Sequence, residues 1–163
     1  MVKGQSPVIR VMVVEDHPLL IQGLRRVLEN EPDLEIVAEA SSGDDAVRLA
    51  VELTPDVILM DINLRGKNGL QATHEIKQIY AIDETSVIVL TAYNDDEQML
   101  HALRAGASAY YPKDVLPSEL IPAIRAVSED RYLINGKALN KAEAYRWLLL
   151  EMEKLTEVAD VGQ

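Results

Sequence analysis

Short apolar segments recur along the chain with a spacing that predicts alternating strands and helices. Five of them lie about 20 to 30 residues apart, which is the length of a strand, a loop, a helix and a second loop. Three of the five are almost entirely Val, Ile, Leu and Met, as expected for parallel strands covered on both faces. The segments are VIRVMVV (8–14), LEIVAEA (34–40), DVILM (56–60), SVIVLT (86–91) and ASAYY (107–111).

Amphipathic segments fill the intervals between these strands. Pro18 suits the first position of a helix, and the apolar residues after it recur on one face. Ser42 is a candidate cap for a second helix, and three further helices fit about 69–79, 95–104 and 117–128. Because five strand–helix units follow one another, the simplest fold class is α/β, with a doubly wound parallel sheet between two layers of helices.

Ligands of a doubly wound sheet bind beyond the carboxyl ends of its strands, where the strand order reverses. The residues at these predicted ends are Glu15 and Asp16 after the first strand, Asp61 after the third, Thr91 closing the fourth and Lys113 after the fifth. Two like charges about 4 Å apart repel by roughly 4 kcal/mol at an effective dielectric near 20. Converging carboxylates would therefore raise their own pKa values or bind a hard divalent cation such as Mg²⁺. No cysteine or histidine is expected there to favour zinc.

The same residue types suit phosphoryl transfer. An aspartate beside Mg²⁺ can attack phosphorus and form an acyl phosphate. Lys113 would then hold one phosphoryl oxygen, and the Thr91 hydroxyl would bond another. Taken alone, Asp61 is more simply a turn residue, and Glu15 and Asp16 could merely cap the first helix. His17 is interpreted as a helix-start residue without a catalytic role. The hypothesis that Asp61 accepts phosphate therefore depends on these five residues lying together.

In this order, these residues resemble the receiver domain of bacterial two-component response regulators, over roughly residues 8–128. The acidic pair lies in VVEDH, the phosphate-accepting aspartate in LMDINLRGKNGL, the hydroxyl residue in VLTAY and the lysine in YYPKD. The resemblance implies a flavodoxin-like (CheY-like) sheet of five parallel strands in the order 2-1-3-4-5, and an aromatic switch residue at Tyr110. The ligands that it implies for Mg²⁺ or Mn²⁺ are Glu15, Asp16, Asp61 and the backbone carbonyl of Asn63.

The function that the resemblance implies is a phospho-accepting receiver, supplied with phosphate on Asp61 by a sensor histidine kinase or a small phosphodonor. The added charge would attract Thr91, and Tyr110 would follow, which would reshape the surface near the fourth and fifth helices. The segment EDHPLLIQGLRRVLE and the long C-terminal extension are most similar to the NarL/FixJ subgroup. Such regulators usually continue into a helix-turn-helix DNA-binding domain, and this chain stops before one could fit. Two expectations stay open: the chain is part of a transcriptional regulator, or it is a stand-alone receiver.

Two positions depart from the pattern of many receivers. Arg65 stands where many have a proline in the loop after the phosphate-accepting aspartate. Pro112 precedes Lys113, whereas many receivers have a proline directly after the lysine, in a cis bond. Asp114 is a candidate partner for the charge of this lysine. These differences affect the expected shape of both loops and the expected lifetime of the phosphoryl group. They remove none of the side chains that phosphoryl transfer needs.

Three alternatives to a phospho-accepting receiver remain open. A Mg²⁺-dependent phosphatase with an aspartyl nucleophile needs a second aspartate two residues on, where this chain has Asn63. A flavin carrier of similar fold is disfavoured because EDHPLL is not a phosphate-cradling loop. The third alternative is a receiver-like interaction module that carries no phosphate.

Composition narrows the classes of partner. The chain has 163 residues, about one domain, and a net charge of −11 from 16 Lys and Arg against 27 Asp and Glu. We therefore expect no nucleic-acid binding by this chain itself, since gripping phosphates needs a basic face. The absence of cysteine excludes disulfides and makes a reducing cytoplasm the expected location. No apolar run approaches the roughly 18 residues of a membrane span, so we expect no membrane contact.

The domain prediction has three parts: a flexible N-terminus at 1–7, the receiver domain at 8–128 and an extension at 129–163. The extension holds an Asn-Gly turn signal and then a capping-box pattern, Asn140 with Glu143. This pattern predicts a linker helix over about 141–156.

The linker helix carries apolar residues on two sides, which is typical of a helix with two neighbours. We expect one side to dock on the domain and the other to meet a partner or a second copy in a homodimer. Alternatively, Trp147 is a single exposed residue or folds back onto the domain. One side carries Tyr145, Leu148, Leu149, Met152 and Leu155, and the other carries Trp147 and Leu150.

Overall fold

The chain alternates strands and helices throughout. A computed structural model describes residues 7–64, 66–79, 84–92 and 95–161, with side chains as far as residue 156. The predicted flexibility of 1–7 thus falls almost wholly outside the described residues. The elements are β1 (Ile9–Val14), α1 (Pro18–Glu29), β2 (Leu34–Ala40), α2 (Gly43–Leu53), β3 (Val57–Asp61), α3 (Gly69–Gln78), β4 (Ser86–Thr91), α4 (Asp96–Ala105), β5 (Ala109–Pro112), α5 (Pro117–Ser128), β6 (Tyr132–Ile134), β7 (Lys137–Leu139) and α6 (Lys141–Val161).

The first five strands form one parallel sheet in the order β2-β1-β3-β4-β5. The predicted α/β class and the strand order 2-1-3-4-5 are confirmed. The chain leaves β1 towards β2 on one side and returns to β3 on the other, so the strand order reverses between β1 and β3. Val14 pairs with Met60, and Asp61 pairs with Leu90. The carboxyl ends of β1, β3 and β4 therefore finish at one rim of the sheet.

Helices cover both faces of the sheet. One apolar cluster joins the sheet to α2, α3 and α4, and a second joins it to α1 and α5. The strand β3 lies between them, and its residues Val57 to Met60 are completely buried. Burying one such side chain contributes about 1.5–3 kcal/mol, so this strand is strongly fixed in its register. That register places Asp61 at the rim.

A short β-hairpin, which the sequence analysis did not predict, follows α5. The strands β6 and β7 pair antiparallel across Asn135 and Gly136, whose φ angles of 52° and 78° are typical of a tight hairpin turn. The turn signal was recognised, but strands of three residues are too short for a periodic pattern to show. The backbone N–H of Leu133 donates to the carbonyl of Ser108 at 2.8 Å, which holds the hairpin beside β5.

The predicted capping box at the start of α6 is confirmed. The N–H of Asn140 donates to the Glu143 carboxylate at 3.0 Å, and the N–H of Glu143 donates to Asn140 Oδ1 at 2.8 Å. The helix runs to Val161, beyond the predicted end at about 156. No described helix is long and apolar enough to cross a membrane.

The helix α6 docks on the domain through Ala144, Trp147 and Leu148, which pack against α4 and the hairpin. The alternative in which Trp147 folds back onto the domain is therefore the correct one. Tyr145 and Leu149 of the opposite stripe are 63% and 49% exposed. The predicted division of the apolar residues between two sides was wrong: Trp147 and Leu148 dock together, whereas Leu150, predicted to lie with Trp147, is 52% exposed.

Candidate functional site

Three carboxylates converge at the rim where the strand order reverses. Asp61 ends β3, and Glu15 and Asp16 follow β1 directly. One oxygen from each, together with the Nδ1 atom of His17, all lie within 4.8 Å of one another. Asp61 is 0% exposed and Glu15 is 1% exposed. We call Glu15, Asp16 and Asp61 the acidic pocket; it collects negative charge where solvent barely reaches.

Lys113 supplies a positive charge to this pocket. Its Nζ atom lies 3.0 Å from Asp61 Oδ1 and 3.6 Å from Glu15 Oε1. The N–H of Lys113 donates to the carbonyl of Thr91 at 2.7 Å, which fixes the start of the loop after β5. The described ion pairs of Lys113 do not include Asp114, so the predicted pairing with that residue is not seen. One ammonium group against three carboxylates leaves the pocket negative.

One oxygen of each carboxylate in the acidic pocket has no hydrogen bond within the part of the chain that the structure describes. Asp61 Oδ1 accepts from the N–H of Asn63 at 3.0 Å. In contrast, Glu15 Oε2, Asp16 Oδ1 and Asp61 Oδ2 are buried without a hydrogen bond among the described residues. Unsatisfied buried oxygens are costly, and in native proteins each requires an explanation. Mg²⁺ and Mn²⁺ prefer such oxygen ligands, so the donor set fits the divalent ion that the resemblance implies.

The surroundings of Glu15 raise its pKa. Burial raises the pKa of Glu15 above its ordinary value of 4.5, and the charge of Asp61 raises it further. Hydrogen bonds from His17 and the charge of Lys113 lower the same pKa without cancelling the effect of burial. Proton and cation therefore compete for this carboxylate.

His17 is a site residue that the sequence analysis missed. Its Nδ1 atom lies 2.6 Å from Glu15 Oε1, in a hydrogen bond, and 3.1 Å from Asp16 Oδ1. The expectation of no histidine at the rim was therefore wrong. His17 occupies the cap position of α1 without a side-chain capping hydrogen bond, and its backbone N–H donates to Glu15 Oε1 at 3.1 Å. The available signal was its position directly after the acidic pair.

Thr91 and Tyr110 meet on the α4 side of the rim. Thr91 is completely buried, and its hydroxyl donates to Gln98 Oε1 at 3.1 Å. Tyr110, on the edge strand β5, is half-buried against the cluster below α4, and its hydroxyl donates to the same oxygen at 3.4 Å. Burial raises the pKa of Tyr110, so its hydroxyl keeps its proton. The structure thus places the two predicted switch residues together.

The start of α3 packs closely on the end of β3. The N–H of Gly69 donates to the carbonyl of Ile62 at 2.9 Å, and a Cβ atom on Gly69 would collide with the carbonyl oxygen of Asp61. A reciprocal capping box between Asn68 and Gln71 fixes this helix start. Arg65 lies outside the described residues, so its expected effect on this loop stays a prediction.

Gly69→Ala is expected to lower the free energy of unfolding by about 1–3 kcal/mol, because the added methyl group overpacks the backbone of Asp61. Urea denaturation measures this loss. Gly23→Ala is the matched control: Gly23 is exposed in α1, and a Cβ atom there meets nothing within 4 Å. That variant is expected to gain up to about 1 kcal/mol from helix propensity. Equal effects at both positions would contradict the packing account.

Comparison with known proteins identifies the family. The model of the response regulator receiver domain matches residues 11–125, a range that contains the acidic pocket, Thr91, Tyr110 and Lys113. The chain belongs to this family. The resemblance inferred from the motifs is therefore confirmed, and nothing in these comparisons favours the phosphatase, the flavin carrier or the phosphate-free module.

The receiver has many relatives among transcriptional regulators. The transcriptional regulatory protein LiaR of Bacillus subtilis (strain 168) is 41% identical over 133 residues, which are 82% of this chain and 62% of LiaR. The response regulator UvrY of Escherichia coli (strain K12) is 37% identical over 135 residues, 82% of this chain and 61% of UvrY. The receiver chain thus spans less than two thirds of the length of these curated relatives.

Solved receiver structures share the fold. The signal receiver domain of a NarL response regulator from Mycobacterium tuberculosis aligns with a TM-score of 0.73 and 29% identity, over 77% of this chain and 100% of that one. A two-component response regulator of the LuxR family from Aurantimonas sp. SI85-9A1 aligns with a TM-score of 0.71 and 33% identity, over 89% and 98%. These relatives confirm the predicted similarity to NarL-type regulators.

Proposed function

We propose that this receiver accepts a phosphoryl group on the carboxylate of Asp61. The observation that carries the proposal is the buried position of this carboxylate, 3.0 Å from Lys113 Nζ and within a pocket where one oxygen of each carboxylate has no hydrogen bond from the described residues. In the transfer, a carboxylate oxygen of Asp61 forms a bond to phosphorus while the bond from phosphorus to the donor breaks. The donor is the phosphohistidine of a sensor histidine kinase or a small acyl phosphate.

The residues that would hold Mg²⁺ or Mn²⁺ are Glu15, Asp16, Asp61 and the backbone carbonyl of Asn63. When bound, the ion supplies the positive charge that lets an anionic phosphoryl group enter a negative pocket. Lys113 binds one phosphoryl oxygen, and the Thr91 hydroxyl donates to another. His17 adds an imidazole nitrogen at the edge of this set, a ligand that Mn²⁺ accepts more readily than Mg²⁺ does.

Phosphorylation changes the charge beside Thr91 and so changes the surface of the receiver. Thr91 moves towards the phosphoryl group, Tyr110 follows, and the surface around α4 and β5 is rearranged. In this proposal the rearrangement serves the control of transcription in the cytoplasm; the relatives LiaR and DegU are named as transcriptional regulatory proteins. The acidic receiver itself makes no contact with nucleic acid in this proposal.

Mass spectrometry after treatment with acetyl phosphate tests the proposed function. One phosphoryl adduct is expected when Mg²⁺ is present and none when EDTA removes the ion. The amount of free phosphate should not exceed slow loss from the adduct, because Asn63 replaces the acid/base residue of a phosphatase. Sustained release of phosphate from unrelated phosphoesters, or an adduct unaffected by EDTA, would contradict the proposal.

Glu15→Gln is expected to change how folding stability depends on pH. The folded chain holds the Glu15 proton more tightly than the unfolded chain, because burial raises this pKa above 4.5. Without a divalent cation, the stability that this group contributes is fully present below the unfolded pKa and is lost as pH rises through the raised one. The amide does not titrate, so the variant should gain stability relative to the wild type as pH rises above the unfolded pKa of 4.5 and through the raised folded pKa.

Urea denaturation in EDTA at several pH values measures this difference. Glu35→Gln is the matched control, since Glu35 is exposed on β2 and should leave the pH profile of the wild type unchanged. In saturating Mg²⁺ the advantage of Glu15→Gln should shrink, because only the wild type keeps the full set of ligands. Parallel pH profiles for wild type and Glu15→Gln would show that burial of this carboxylate has no energetic effect.

Association of two copies through α6 stays a prediction, with its contact face corrected by the fold. Tyr145 and Leu149 are exposed on the side away from the domain, whereas Trp147 is docked. Leu149→Lys is therefore expected to reduce a dimeric mass in light scattering to that of one chain, because it places a charge in the apolar contact. Lys154→Met is a control that should keep the mass. A monomeric wild type would exclude the dimer.

A further inference from the structure

Gln98 connects the two switch residues to each other. Its side-chain oxygen accepts the hydroxyl of Thr91 at 3.1 Å and the hydroxyl of Tyr110 at 3.4 Å. Its backbone N–H donates to the side chain of Asp95 at 2.7 Å, which caps α4. One half-buried amide in the first turn of α4 therefore contacts β4, β5 and the helix start. Sequence patterns give no reason to single out this residue.

We propose that Gln98 is a positioning residue for phosphoryl transfer, which holds Thr91 and Tyr110 in their unphosphorylated arrangement. The proposal rests on Asp61 being the phosphate acceptor. A threonine hydroxyl has one proton, so it cannot donate to Gln98 and to a phosphoryl oxygen in full at the same time. Gln98 and the phosphoryl group therefore compete for this proton, and release from Gln98 is a cost of stabilising the phosphorylated state.

Helix α4 also connects Gln98 to α6. The next residue, Met99, packs with Leu103 of α4 against Trp147 of α6. Tyr110 also forms hydrogen bonds with Thr91 and with the backbone of Asp95. Release of Thr91 and Tyr110 from Gln98 removes two of the hydrogen bonds between the first turn of α4 and the strands, and so changes the packing of Met99 on Trp147. In this account Gln98 links the state of the acidic pocket to the docking of the C-terminal helix. Trp147 is the only tryptophan of the chain, so its fluorescence reports this contact directly.

The test compares variants of Gln98 in the full chain with Mg²⁺. Gln98→Leu has a similar size but no acceptor, whereas Gln98→Glu keeps acceptor oxygens. Fluoroberyllate, an analogue of the phosphoryl group, is titrated into each variant, and Trp147 emission is recorded. Gln98→Leu should bind it about 2- to 10-fold more tightly than the wild type, which is the net effect of one lost hydrogen bond. Gln98→Glu should return the affinity to the wild-type level or below.

A second readout separates positioning from mere packing. Before any ligand is added, the emission of Trp147 in Gln98→Leu should already be shifted towards that of the phosphorylated wild type. Gln22→Leu makes the same chemical change on the exposed surface of α1, away from Trp147, and should behave as the wild type does. Gln98→Met, which keeps chain length and helix propensity, replaces the leucine variant if that one fails to fold, as judged by circular dichroism.

Two results would overturn the inference while leaving the proposed function intact. One is an affinity of Gln98→Leu for fluoroberyllate equal to or weaker than that of the wild type. The other is unchanged Trp147 emission in that variant. A wild type that forms no adduct with acetyl phosphate and binds no fluoroberyllate would overturn both the inference and the proposed function.

Discussion

Asp61→Asn is expected to abolish the phosphoryl adduct and, without a divalent cation, to raise the free energy of unfolding by about 1–2 kcal/mol. The adduct is lost because an amide is not a nucleophile towards phosphorus. The variant loses the attraction between Asp61 and Lys113, but Lys113 keeps Glu15 at 3.6 Å, and the repulsion of Asp61 by two converging carboxylates is removed. It also keeps Oδ1 as the acceptor for Asn63. The new amide nitrogen replaces Oδ2, which in the wild type is buried without a hydrogen bond from any described residue.

The two effects are measured by mass spectrometry after acetyl phosphate treatment and by urea denaturation in EDTA. Asp114→Asn makes the same chemical change on an exposed residue beside Lys113, and should keep both the adduct and the wild-type stability. An adduct of unchanged size in Asp61→Asn would show that another residue accepts the phosphate. A loss of stability in the same variant would show that the acidic pocket is not repulsive.

The sheet and the position of Asp61 are the features most reliably predicted from sequence. The segment Val57 to Met60 is apolar at every position, and such a run has only one favourable place, the interior of a parallel sheet. The polar residues that end each run must then lie at one rim. Local patterns therefore sufficed for Glu15, Asp16, Asp61, Thr91 and Lys113.

Contacts that depend on which face meets which neighbour could not be predicted. The helix α6 is apolar on two sides, and only the fold shows that Trp147 lies on the docked side. Gln98 is a polar residue near a helix start, where the ordinary expectation is solvent. Its partners are 7 and 12 residues away on different strands. The role of His17 at the site was missed because its position at the start of α1 already explained the residue in the sequence.

Lys113→Met is expected to lower the free energy of unfolding by about 3 kcal/mol in the absence of a divalent cation. Its ammonium group lies 3.0 Å from Asp61 and 3.6 Å from Glu15, and both carboxylates are almost fully buried. Removing the lysine leaves these charges without a compensating cation. The phosphorylation rate should also fall by about 100-fold, because one group that stabilises charge on the phosphoryl oxygens is lost.

The double variant Lys113→Met with Asp61→Asn distinguishes this electrostatic effect from lost packing. If the single variant is unstable because carboxylates are left uncompensated, Asp61→Asn should restore more stability in this variant than the about 1–2 kcal/mol that it gains in the wild type, because no attraction to Lys113 is lost. Lys154→Met is the matched control: its ion pair with Glu151, at 3.1 Å, is exposed and should contribute less than about 1 kcal/mol. Urea denaturation of the wild type, the two single pocket variants and the double variant gives the coupling energy between Lys113 and Asp61. Additive effects of the two pocket substitutions would mean that Lys113 stabilises the fold only by filling space. Its role in phosphoryl transfer would then rest on the measured phosphorylation rate alone.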